Sequence, residues 1–74
     1  MLELRQVGNN MVEVEKEKAR VLFSYNTPVA AYVRGVGYIR TEEYFSSTTS
    51  RHITKWLAGA SAKAVPQSEI NDLI

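Results

Sequence analysis

From Leu2 to Arg40 the chain alternates apolar and polar residues in short runs, and turn-forming residues interrupt them. Alternation with a period of two marks a strand with one face buried. Links this short exclude the long crossover that parallel pairing needs, so neighbouring strands are expected to run antiparallel. Leu2-Glu-Leu-Arg-Gln-Val7 is the first run, and Gly8-Asn-Asn10 supplies a turn whose residue types all tolerate positive φ. Met11–Glu15 puts Val12 and Val14 on one face and Glu13 and Glu15 on the other, completing a hairpin. Lys16–Arg20 is a charged connector. Val21–Tyr25 is the most strand-like run, and Asn26-Thr-Pro28 breaks it because Pro fixes φ and lacks an N–H. Val29–Val33 resumes, Arg34-Gly35 suits a type I turn with a glycine bulge, and Val36–Arg40 returns. Gly37 inside that last run predicts a bulge or a close backbone approach.

Beyond Tyr44 the period changes. Ser46, Ser47 and Thr48 can each cap a helix by accepting a backbone N–H. Thr49, Ile53, Trp56 and Leu57 then fall on one helical stripe, with Arg51 and Lys55 projecting away from it. Gly59 is a natural stop. Ala60–Ala64 reads as a small-residue linker, and Pro66 opens a short helix whose apolar face is Ile70, Leu73 and Ile74. At a terminus such a face either docks or frays. The expectation is one domain over residues 1–74 of class α+β, with 60–74 as linker and tail. It is an antiparallel meander of four to five short strands, a main helix over about 47–58 on one face, and a short C-terminal helix. Ile53, Trp56 and Leu57 should meet Val21, Phe23, Val29, Ala31 and Val36 or Ile39.

The residue types narrow the chemistry. With no cysteine there is neither a disulfide nor a thiolate metal site. His52 is the single histidine, and a general base needs a nucleophile and an orienting carboxylate in reach. The nearest acids, Glu42 and Glu43, precede the helix without diagnostic spacing. The hydroxyl run Ser46–Ser50 lacks the glycines with which a loop wraps a phosphate. The chain is therefore expected to be no enzyme and to use no cofactor or metal. No apolar run approaches the roughly 20 residues of a membrane span, and Met1–Arg5 lacks the basic and apolar segments of a signal peptide. A protein without membrane contact, soluble and intracellular, is the expectation.

Net charge is only +1, but its distribution is uneven. From Lys18 to Gln67 seven basic residues face two acids, a balance that suits an acidic partner or a phosphate backbone. The candidate contact residues are Arg5, Lys16, Lys18, Arg20, Arg34, Arg40, Arg51 and Lys55, together with Tyr32. Tyrosine among cations stacks bases in single-stranded nucleic-acid sites, and it is equally an anchor of protein interfaces.

Three strings carry a resemblance. Ser24-Tyr-Asn-Thr-Pro-Val-Ala30, the Gly-x-Gly-Tyr at Gly35–Tyr38, and Tyr44-Phe-Ser-Ser-Thr-Thr-Ser-Arg-His-Ile-Thr-Lys-Trp-Leu57 resemble small proteins encoded in tailed-phage genomes. Their shared pattern is S-Y-x-T-P-V-A, a spacer, then Y-S-x-T-T-S-x-H-I-x-x-W-L. Phe45-Ser46 departs from it. The resemblance implies a phage origin and the cytoplasm of an infected bacterium, and it brings no site residues with it. Small phage proteins often bind host machinery, so it implies a regulator that binds a host protein, RNA polymerase first, to inhibit transcription or cause antitermination. A small nucleic-acid-binding protein and an inhibitor of a bacterial defence system are the alternatives.

Overall fold

The computed structural model describes residues 3–74. Six strands, β1 (Glu3–Gly8), β2 (Met11–Glu15), β3 (Ala19–Ser24), β4 (Thr27–Val33), β5 (Gly37–Thr41) and β6 (Lys63–Val65), form one sheet in sequence order. The first five are an antiparallel meander, as the short links require. Leu2, expected to open β1, lies outside the described residues. Helix α1 (Ser47–Leu57) follows β5, and helix α2 (Gln67–Asn71) follows β6. The fold is α+β.

The sixth strand lies where a linker is expected. β6 pairs parallel with β5, Ile39 against Lys63 and Thr41 against Val65. A parallel neighbour needs a crossover, and α1 is that crossover. Three residues dominated by lysine and alanine carry no alternation signal; their strand state comes from the β5 edge they pair with.

Different helices pack on the two faces of the sheet. Met11, Leu22, Val29 and Ala30 pack under Ile53 and Leu57 of α1. Val21, Ala31, Ile39 and Val65 pack under Ile70 of α2 on the opposite face. The expected footprint of α1 is therefore corrected: Val29 is in it, whereas Val21, Phe23, Ala31 and Ile39 belong to the α2 side. Val21 and Leu22 are both fully buried, so β3 is inward on both faces and alternation cannot assign its helix. The α1 face also takes Glu13, while Val12 and Val14 are only half-buried.

Local corrections follow from backbone geometry. Tyr25 and Asn26 both have positive φ, 50° and 68°, which is the two-residue hairpin geometry matched to strand twist. The break thus falls at Tyr25–Asn26, and β4 runs on through Pro28. That proline sits where Leu22 pairs with Ala30 but Phe23 pairs with Pro28, leaving Val29 as an extra residue. A bulge tolerates a residue without an N–H. The bulge predicted at Gly37 is absent from the β4–β5 register; Gly37 instead has φ of 107° with open space around it. Ser46 is the cap of α1, accepting from the Thr49 N–H at 3.0 Å. Its left-handed C-terminal residue is Ala58, with φ of 52°, and Gly59 follows.

Candidate functional site

Five of the nine candidate contact residues converge at one end of the sheet. Lys16, Lys18, Arg20, Tyr32 and Arg34, with Glu15 and Glu17, line an open hollow of about 100 Å³. Two hairpin tips build it. The β2–β3 tip closes through the Lys16 N–H and the Ala19 carbonyl at 2.8 Å. The β4–β5 tip closes through the Val36 N–H and the Val33 carbonyl at 2.9 Å, with Gly35 supplying the left-handed residue at φ of 84°. The Arg34 N–H then donates to the Lys18 carbonyl at 2.9 Å, joining the two tips.

The Arg20, Tyr32 and Lys16 side chains make further contacts. Arg20 and Tyr32 are cross-strand partners, and the guanidinium carbon lies 5.2 Å from the ring centroid, a cation–π arrangement. Tyr32 meets Tyr38 at 4.8 Å, and Tyr38 meets Trp56 at 5.7 Å, both edge-on. The Lys16 ammonium donates to the Leu73 carbonyl at 3.3 Å, a favourable place for a cation beyond the last turn of α2. Four cations against two carboxylates leave the hollow net positive. Val36, 71% exposed, stands on the tip beside Arg34.

The other four candidates are elsewhere. Arg5 is exposed on β1, Arg40 is half-buried on β5, and Arg51 and Lys55 occupy the exposed side of α1. They do not join the hollow.

The polar contacts beneath α1 are legible only in part. Ser24 Oγ lies 2.7 Å from His52 Nδ1 and 3.1 Å from Thr49 Oγ1. With a neutral His52 unprotonated at Nδ1, the Ser24 hydroxyl donates to it and accepts from Thr49. The distance suits a nucleophile and its base, yet Ser24 is 2% exposed and roofed by α1, so substrate has no approach to it. Tyr25 packs on the His52 ring at 5.6 Å. Nearby, the Trp56 indole N–H donates to Glu13 Oε1 at 2.9 Å, satisfying a carboxylate that is 7% exposed. Sequence gives no signal for that pair, since it joins residues far apart in the chain.

Among the described residues no group of three or more His, Cys, Asp or Glu is placed to hold a metal ion, and no helix is long and apolar enough to cross a membrane. No curated protein and no solved structure matches the chain. The model of a family described as a family of unknown function, DUF8033, matches residues 2–72. The chain belongs to that family.

Proposed function

We propose that the chain is a non-enzymatic regulator that binds an acidic protein surface with the basic end of its sheet. Its origin on this reading is a tailed phage, and its first candidate partner is the host RNA polymerase, in the cytoplasm of the infected bacterium. The observation that carries the proposal is the backbone bond from Arg34 to Lys18. It fixes two hairpin tips side by side, so the backbone positions that carry these cations are set next to one another before any partner arrives. Preorganisation of this kind reduces the ordering cost of binding. Val36, exposed on the same tip as Arg34, adds an apolar group beside the charged ones, and protein interfaces combine the two kinds of contact.

The chemistry favours protein over single-stranded nucleic acid. A stacking site needs an open aromatic face, and the Tyr32 ring is occupied by Arg20 on its face and Tyr38 at its side. The cations alone would still give a weak, salt-sensitive affinity for phosphate.

Purified host RNA polymerase binding to the immobilised protein is the test. Stoichiometric binding that falls at least about tenfold in the Lys18→Glu, Arg34→Glu variant and weakens with salt is expected, since each lost charge contact at an interface slows association and weakens the complex. Absence of binding at low ionic strength would remove the polymerase as partner. Retention of short oligonucleotides under the same conditions would move the reading to nucleic acid.

A further inference from the structure

The end of the sheet opposite the basic hollow is aromatic and acidic. The register places Ala19, Val33 and Gly37 at the basic end and Ser24, Thr27 and Thr41 at the other. At that second end Tyr25, Tyr44 and Phe45 are all exposed, Tyr44 to 72%. They are not loose. Tyr25 packs on His52, and the Tyr44 hydroxyl is 3.0 Å from Ser47 Oγ. Glu42 and Glu43 are exposed in the same loop, held by bonds from the Glu42 N–H to the Val65 carbonyl and from the Glu43 N–H to Thr41 Oγ1. From Thr41 to Ser50 the chain carries no lysine or arginine.

We infer that the occupant of this aromatic end is the basic end of a second copy of the chain. The two surfaces are complementary in kind. Lys18 and Arg34 present cations with Val36 exposed beside them; Glu42 and Glu43 present carboxylates with Tyr44 and Phe45 exposed beside them. Cations also favour the faces of exposed aromatic rings. Because the surfaces lie at opposite ends of one sheet, a copy that uses its basic end still offers its aromatic end. The contact is heterologous, and it closes into a ring or continues as a filament. It requires no partner protein, although it shares Lys18 and Arg34 with the proposed partner site, so self-association and partner capture compete.

Sedimentation of the protein alone, at rising concentration and low ionic strength, is the test. The expected result is a weight-average mass that climbs above the 8.3 kDa monomer and returns to it when salt screens the charges. Glu42→Lys with Glu43→Lys, and separately Lys18→Glu with Arg34→Glu, should each stay monomeric with unchanged circular dichroism. Mixed in equal amounts, the two variants should associate, because one native pair of ends survives between them. A parent protein that remains monomeric throughout overturns the inference. So does association that both variants retain, which would place the contact on another surface such as Leu4. Since no partner is present, these outcomes are independent of whether RNA polymerase binds.

Discussion

The Trp56–Glu13 bond puts a carboxylate in the core with a neutral donor, a long-range match between residues that each look ordinary in sequence. Glu13 alternates with valines and reads as the outward residue of a half-buried strand. Trp56 reads as core because it falls on the helical stripe. Their meeting is tertiary, and nothing local encodes it. Trp56→Phe keeps most of the packing and removes the donor, so it should cost about 1–3 kcal/mol in denaturant unfolding. Pairing it with Glu13→Leu should recover part of that loss, because no buried acceptor is then left unsatisfied. A double variant as unstable as the sum of the two single ones would show that the bond contributes little. At the end of the same helix Ala58 holds φ of 52°, where a Cβ is strained. Ala58→Gly should raise stability by roughly 0.5–1 kcal/mol, read as a higher midpoint of unfolding. Here the sequence pointed one residue too far: Gly59 is also left-handed, but the helix turns at the alanine before it.

At the scale of elements, what was legible is what repeats. The strands of the meander and α1 each carry enough periodic residues to be recognised, and the hydroxyl run before α1 announces its start. β6 was not legible, because three residues cannot show a period. The side of the sheet that α1 covers was not legible either, because β3 and β4 are apolar on both faces. The correct answer depends on α2, which looked like a tail. Ile70 of α2 is fully buried among Val21, Ala31, Ile39 and Val65, so the segment is a structural layer of the domain. Ile70→Ala should cost about 2–5 kcal/mol. In a chain of this length that approaches the whole margin, about 5 kcal/mol by the usual scaling with size. A variant that melts like the parent would mean that α2 contributes little to holding the sheet. The basic hollow was legible as a composition but not as a place: Lys16, Lys18, Arg20, Tyr32 and Arg34 were chosen together with four residues that the fold sends elsewhere. Only the pairing of β3 with β4, and of one hairpin tip with the other, separates the two groups.

The whole molecule is a three-layer body whose two sheet ends differ in chemistry, one basic and one aromatic and acidic. An apolar hollow of about 280 Å³ at Leu4, Val12, Val14 and Phe23 remains open on the α2 side. Its exposure sets a control for every binding measurement: Leu4→Ser should leave both polymerase binding and salt-sensitive self-association unchanged if the sheet ends are the contacts. Loss of either on that substitution would move the contact to the β1 side. The parallel β5–β6 pair has a consequence in time. Each hairpin of the meander closes over a loop of a few residues, whereas Ile39 must find Lys63 across the whole of α1. Closing the longer loop costs more entropy before any contact rewards it, and non-local pairing slows folding. The meander should therefore form first, with β6 and α2 arriving last as a clasp. On a ribosome the same order holds, because those residues emerge after the meander. In hydrogen exchange the clasp should open before the rest, exposing the Glu42 amide while the β3 and β4 amides stay protected.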